Sequence, residues 1–411
     1  MGGSTIIIAG AGQAGFQAAS SLREQGFGGR IILAGNEPYL PYQRPPLSKA
    51  YLMGKLDRAA LRLRPEGYFT ENNIECRIGL KLGKIVRESH QAVFQNGETI
   101  SYDHLILALG ARNRPLPVPG AGLEGVVQLR TVDDADGLRG FLDHGGRIVV
   151  IGGGFIGLEF ATLAVERGAE VTVIETADRP MARVLSKEMS EHFRAAHEAQ
   201  GVRFIFGATA ARVLGDTRVE AVETADGQRF PADLVLVCIG VIPNTEIAAQ
   251  AGLATGNGII VDEYLATNDP AISAIGDCAL HPNPYAANGV IRLESVQGAV
   301  DQARCVAARL TGHPAPYHSL PWFWSEQGAL KLQIAGLTQP HDRIVARKAP
   351  PGGKDGLSVY CFRAETLVGV ESVNRPLDHA LARKLLAANG ETPSPEQVAH
   401  PEFELKTWMV S

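Results

Sequence analysis

Two stretches of this 411-residue chain constrain its fold more than any other feature. Each is a short apolar run that breaks at a glycine-rich turn and opens at once into a helical pattern. The first reads Ile6-Ile7-Ile8-Ala9-Gly10-Ala11-Gly12-Gln13-Ala14-Gly15, with a helical stretch from Phe16 to Gln25. The second is the run 147–151 entering Gly152-Gly153-Gly154-Phe155-Ile156-Gly157-Leu158-Glu159, then a helix to about Arg167 and a strand ending at Glu175. Strand, turn and helix in that order give Gly-x-Gly-x-x-Gly a mechanism. The first glycine makes the tight turn, the second admits a pyrophosphate against the backbone, and the third lets helix and strand pack closely. The helix N-terminus then faces the phosphates. A single copy is a common βα turn; two copies predict two dinucleotide sites.

Composition narrows the class. Hydrophobic residues make up 45% and charged residues 20%, an ordinary globular balance that at this length predicts two or three domains. The net charge of −5 argues against a nucleic-acid protein in bulk. No apolar run approaches the ~20 residues of a membrane span. The N-terminal residues match neither a secretory signal nor a myristoylation pattern, so the expectation is a soluble cytoplasmic protein. The five cysteines, Cys76, Cys238, Cys278, Cys305 and Cys361, are odd in number and form no Cys-x-x-Cys. Reduced, mostly buried thiols are expected, and no metal site.

Along the chain, a second strand over 30–33 ends near Asn36 and Glu37, about 20 residues past the glycines, where a polar side chain meets ribose hydroxyls. Both are candidates. Four prolines between Pro38 and Pro46 stiffen the loop that carries Arg44 and Lys49. Lys55, Arg58 and Arg62 are expected on one helical face, a candidate docking surface for an acidic partner. Gln95-Asn96-Gly97-Glu98 reads as a hairpin turn. A helical connection is expected over 121–146, with Arg130 and Thr131 at its start. Glu175 closes the second fingerprint. Its carboxylate would accept from the adenosine ribose and repel a 2′-phosphate, favouring NADH over NADPH; Arg179 and Arg183 would soften that preference or bind the pyrophosphate. Asp277 lies just past a strand end, placed to bind a polyol hydroxyl. A long helix from Leu293 to Leu310 would have its positive end free to face an electron-rich cofactor edge. From Tyr317 the composition shifts to a β-rich segment and a final helix over 377–386.

Taken in order, Pro-Tyr-Gln-Arg-Pro-Pro-Leu-Ser-Lys, Gly-Gly-Gly-Phe-Ile-Gly-Leu-Glu, Ile-Gly-Asp and Pro-Trp-Phe-Trp-Ser make the chain resemble a known family. It is similar to the NADH-dependent, FAD-containing ferredoxin reductases of the putidaredoxin reductase type, which serve cytochrome P450 and aromatic dioxygenase systems. The resemblance covers nearly the whole chain. It implies an α/β fold with two Rossmann-like domains, glutathione-reductase-like, plus a C-terminal α+β domain. The segments would be 1–114 (FAD, first part), 115–243 (NADH), 244–319 (FAD, second part) and 320–411 (C-terminal). FAD would lie on Gly10, Gly12, Ala14, Gly15 and Asn36, with Arg44, Lys49, Leu82, Ala108, Gly110, Arg130, Asp277 and Val296 completing the site. NADH would lie on Gly152, Gly154, Ile156, Gly157, Glu175, Arg183 and Gly240. Lys49 and Glu159 would form an ion pair beside the flavin and nicotinamide, and Trp322 would sit near the flavin. The chain departs from the family at Ala108-Leu109-Gly110, where Ala-Thr-Gly is usual, and at Gly328-Ala329, where an aromatic and an acid are more frequent.

The implied activity is hydride transfer from NADH to FAD, then single-electron transfer to a [2Fe–2S] ferredoxin, an acidic one. Disulfide reductases of this architecture carry a cysteine pair early in the first domain. This chain has no cysteine before Cys76, so an external electron carrier is the acceptor expected. The alternatives are an apoptosis-inducing-factor-like redox sensor and a rubredoxin or quinone reductase. Neither nucleic acid nor membrane is an expected partner, and no seam in the sequence decides between a monomer and a weak dimer.

Overall fold

A computed structural model describes residues 3–339, 342–349, 356–388 and 390–409. The chain divides into two compact units. One comprises residues 1–43, 58–112 and 242–321; the other comprises 44–57, 113–241 and 322–411.

The first unit is built on a five-stranded parallel sheet in the order Ile272–Ala274, His104–Leu107, Thr5–Ala9, Arg30–Ala34, Ile74–Arg77. Its central strands are continuous apolar runs because helices and loops cover both faces. Ile7, Ile8, Ile31, Ile32, Leu33, Leu105 and Ile106 are all fully buried. Each such side chain contributes about 2 kcal/mol on leaving water. The helices Gln13–Glu24 and Val296–Leu310 pack against one another. The second begins three residues later than the sequence suggests, because Ser295 caps it by accepting from the Gly298 N–H at 2.9 Å. A three-stranded antiparallel meander, Leu82–Val86, Gln91–Phe94 and Thr99–Ser101, carries the expected turn with Gly97 at φ +87°.

The second unit repeats this plan. Its parallel sheet runs Arg203–Phe206, Ala169–Glu175, Gly146–Ile151, Leu234–Val237, Val126–Val127, and a three-stranded meander spans residues 210–231. It also contains a five-stranded antiparallel sheet in the order Trp322–Gln327, Leu330–Gly336, Thr366–Val373, Leu357–Arg363, Arg343–Lys348. The helix Pro376–Ala387 packs on that sheet.

Two local expectations are corrected, and one strand was not anticipated. The connection 121–146 is not helical throughout: Gly120 and Gly125 take φ +82° and +86°, and the helix spans only Val132–Leu142. It starts where Thr131 and Asp134 form a capping box, a signal present in the sequence. Lys55, Arg58 and Arg62 share no helical face. The helix there is four residues long, Arg58–Leu61; Lys55 lies in the preceding turns and Arg62 in an isolated bridge with Tyr42. Arg58 instead stacks over the Tyr39 ring at 4.8 Å. The tryptophan stretch 322–327 is an edge strand, hidden from a reading by alternation because Trp322, Phe323 and Trp324 are consecutive aromatics.

Candidate active site

The first glycine turn has two kinds of glycine. Gly10 sits at φ +114°, and a Cβ there would lie 2.0 Å from the Ala108 carbonyl oxygen. At Gly15 a Cβ would lie 1.8 Å from the Gly10 carbonyl oxygen. The fold itself requires both. Gly12 differs: its φ is −79°, and among the described residues no atom comes within 4 Å of an added Cβ. Its backbone conformation suits any residue, so the space above it is what glycine preserves, at the N-terminus of a helix whose cap offers no side chain. Ala14 follows in the first turn, and a Cβ on Gly276 would meet its methyl at 3.0 Å, so the turn carrying Asp277 adjoins this helix end. Gly110 takes φ +62° at the end of the neighbouring strand, and Ala108 donates to the Ala9 carbonyl. Asn36 is exposed just past the second strand, Leu82 is buried in the meander, and Val296 opens its helix.

The second turn reproduces the geometry in the other unit. Gly152 has φ +104° with a would-be Cβ 2.4 Å from the Cys238 carbonyl oxygen; at Gly157 a Cβ would meet the Gly152 oxygen at 2.5 Å; Gly154 has nothing within 4 Å among the described residues. Ile156, in the first helical turn, is 37% exposed. Glu175 ends its strand with both oxygens engaged: Oε2 accepts from the Gly153 N–H at 2.6 Å and Oε1 from the Ala177 N–H at 2.8 Å. The carboxylate is thus fixed against the glycine turn. Gly240 takes φ +94°, with the exposed Arg183 guanidinium 3.7 Å from a Cβ placed on it.

Arg44, Lys49 and Arg130 also belong to this second unit, within the expected FAD set. Arg44 Nη1 donates to the Arg130 carbonyl at 2.6 Å. The turn Pro45–Ser48 presents Ser48 and Lys49 to Glu159, which is only 5% exposed. Lys49 Nζ and Ser48 Oγ both donate to Oε2, the former at 2.7 Å, and Ser325 Oγ donates to Oε1 at 2.7 Å. The carboxylate is thus held by one cation and two hydroxyl donors, all three charge-assisted hydrogen bonds. Trp322 stacks on Trp324 at 5.5 Å, lies 5.9 Å from His379, and has Arg383 above its ring at 4.2 Å.

Sequence reasoning quoted Ser48 and Ser325 within motifs but gave them no role; a hydroxyl beside a distant acid has no local signature. All five cysteines are free. Burial pushes Cys278 up to about 11 and, with the Glu159 charge adding to it, Cys238 up to about 12. Neither thiol is poised to ionise.

The chain belongs to the pyridine nucleotide-disulphide oxidoreductase family, whose pattern matches residues 4–303, with a reductase C-terminal domain over 322–409. Among curated relatives it is 52% identical to rhodocoxin reductase of Rhodococcus erythropolis, over 98% of this chain and 93% of that one. Among solved structures it matches the ferredoxin reductase for the CYP199A2 system of Rhodopseudomonas palustris with a TM-score of 0.94 and 49% identity, covering 98% of this chain and 99% of the other. The covalent putidaredoxin reductase–putidaredoxin complex also matches at 0.94, with 36% identity over 99% and 98%. The α/β fold with two Rossmann-like sheets is therefore the fold of this family, and the chain is an oxidoreductase whose cofactors are FAD and a pyridine nucleotide, NADH. The open spaces at Gly12 and Gly154, each at an uncapped helix end, fit two such dinucleotides.

Proposed function

We propose that this chain is a ferredoxin reductase that takes hydride from NADH and delivers electrons singly to a [2Fe–2S] ferredoxin of a cytochrome P450 or dioxygenase system. The observation that carries the reading is the Lys49–Glu159 pair in a chain whose early segment holds no cysteine. A disulfide reductase would need a thiol pair there; this chain offers a cation and a fixed acid. FAD, when bound, would supply the conversion of a two-electron hydride donor to one-electron delivery. The chain's own task is to hold and orient. Gly10, Gly12, Ala14 and Gly15 cradle the FAD pyrophosphate, with Asn36 and Asp277 toward its hydroxyls. Leu82, Ala108, Gly110, Arg44, Arg130 and Val296 complete that site. Gly152, Gly154, Ile156, Gly157, Arg183 and Gly240 hold NADH, with Glu175 on its ribose, and Lys49 and Glu159 serve the hydride step.

An acidic ferredoxin is favoured by the cation stacked over Trp322, since Arg383 and the neighbouring Lys384 give that helix positive charge. The four-segment division stated above is our assignment of domains. We place the protein in the cytoplasm, as a monomer or weak dimer; no helix among the described residues is long and apolar enough to cross a membrane. The test is NADH-driven cytochrome c reduction with and without a panel of [2Fe–2S] ferredoxins. Strong stimulation by one of them supports the reading and identifies the partner class. A flavin that NADH reduces, with no ferredoxin stimulating turnover, overturns the assigned acceptor.

A further inference from the structure

Beyond Glu159, the second unit contains a line of buried polar side chains that the hydride reading does not use. The strand Trp322–Gln327 lies against the helix Phe155–Glu166. Alternate residues of the strand meet successive turns of the helix: Phe323 against Phe155 at 4.6 Å between ring centres, and Ser325 on Glu159. Gly328, at φ +59°, lets the chain turn over Thr162, where a Cβ would come within 2.9 Å of the threonine methyl. From Glu159 the hydrogen bonds continue inward. Gln327 Nε2 donates to Ser325 Oγ at 3.2 Å, Gln327 Oε1 meets His197 Nε2 at 2.7 Å, and His197 Nδ1 lies 3.4 Å from Thr162 Oγ1. Ser325, Gln327 and His197 are 0%, 1% and 1% exposed.

The donors in this line have one consistent direction. Ser325 Oγ donates its single proton to Glu159 Oε1. Ser325 Oγ can then only accept from Gln327, which must turn its NH2 toward the serine. That leaves the Gln327 carbonyl facing His197, which must carry its proton on Nε2. Burial lowers the pKa of His197, which keeps the ring neutral and compatible with a single Nε2–H.

We propose that Ser325, Gln327 and His197 are positioning residues for the hydride step, a one-directional hydrogen-bond chain that holds Glu159 aimed at Lys49. The proposal rests on the reading of Glu159 given above. It ties the strand bearing Trp322 and Trp324 to the acid on the nucleotide helix through Ser325, backed by Gln327 and by His197 of the helix Lys187–Ala199, rather than through packing alone.

The test uses the FAD-loaded protein and stopped-flow reduction of the flavin by NADH. Ser325→Ala removes a hydrogen bond to a charged group and lowers the limiting rate by about tenfold. The NADH concentration giving half that rate stays unchanged, because the nucleotide loop is untouched. Ser325→Thr keeps the hydroxyl and recovers most of the rate, and Gln327→Met, similar in size without donor or acceptor, gives a smaller loss in the same direction. Ser325→Ala and Gln327→Met both within about twofold of the unmodified protein overturn the proposal, twofold being too little for a lost charge-assisted bond. An unmodified flavin that NADH does not reduce overturns instead the reading beneath it. A second readout needs no turnover. Nitrogen-15 NMR of the histidine rings in the cofactor-free protein should show His197 as the neutral Nε2–H tautomer, and Gln327→Met should shift that signal. An Nδ1–H tautomer or an imidazolium in the unmodified protein overturns the chain.

Discussion

The two glycine turns repeat one another in backbone and differ in what surrounds them. Both pair a glycine at φ above +100° with a third glycine pressed on its carbonyl, and both open a twelve-residue helix. Seven positions after the first glycine the likeness ends. In the first turn that position is Gln17, half-buried and hydrogen-bonded to Ser21 on its own helix at 2.9 Å. In the second it is Glu159, buried and held by Ser48, Lys49 and Ser325 from elsewhere in the chain. Nucleotide binding needs only the local turn, so it can be used twice. A placed charge needs partners brought from far along the sequence, and only one turn has them.

The largest expected effect separates the glycines within a turn. Gly10→Ala places a methyl 2.0 Å from a backbone oxygen at a strained φ and should destabilise the FAD-free protein by about 3 kcal/mol, read as denaturant midpoint. Gly12→Ala should leave that midpoint nearly unchanged while sharply weakening FAD binding, because its methyl meets no protein atom among the described residues but would fill the space we assign to FAD. Equal destabilisation by both substitutions would remove the distinction between a fold glycine and a ligand glycine.

Lys49→Met comes next. It leaves Glu159 with two hydroxyls and no cation, at a cost of about 3 kcal/mol, the low end for a broken buried pair because Lys49 keeps 20% exposure. Lys49→Met with Glu159→Gln should recover much of that loss. A double variant no more stable than the single one would show that the pair contributes nothing to the fold.

A second buried carboxylate sharpens the contrast. Glu371, fully buried in the strand Thr366–Val373, accepts from the Ser186 N–H at 2.9 Å and the Ser186 hydroxyl at 2.6 Å, with Thr338 at 3.3 Å. No cation reaches it among the described residues that its hydrogen bonds name, and burial lifts its pKa to about 7 despite those donors. The folded state therefore holds a proton that the unfolded chain releases near pH 4.5. Its contribution to stability is full below that value and is lost as pH rises toward 7, by about 3 kcal/mol. Glu371→Gln should flatten the pH dependence of chemical denaturation over that window; an unaltered slope would show that Glu371 is ionised throughout.

Much of this was legible from residue order alone. Glycine turns, strand ends and helix starts depend on neighbours, and the Thr131 capping box shows that even a misjudged helix start had its signal in place. The site's charge chemistry was less so. Lys49 and Glu159 were paired only through resemblance, being 110 positions apart, and Ser325 reaches Glu159 across 166. The basic face at Lys55, Arg58 and Arg62 failed for the opposite reason: the spacing was right for a helix, but four residues of helix cannot present such a face.

The smallest expected effect concerns Glu175, the acid that ends the strand after the second turn. Where the first turn is followed by the exposed Asn36, the second has Glu175, fixed by two backbone N–H groups. Those bonds hold the carboxylate in place, so at the ribose position we assign to it a 2′-phosphate would meet the Glu175 carboxylate at short range. Arg183, which is exposed beside Gly240 and which we assign to the same nucleotide site, would limit that penalty. Glu175→Gln keeps the side-chain size and removes the charge, so the ratio of kcat/KM for NADH over NADPH should fall by about tenfold, the size of a modest, partly screened repulsion. The change should come mainly from a lower KM for NADPH. If the ratio holds, discrimination lies elsewhere in the nucleotide loop, and Arg183 becomes the side chain to vary.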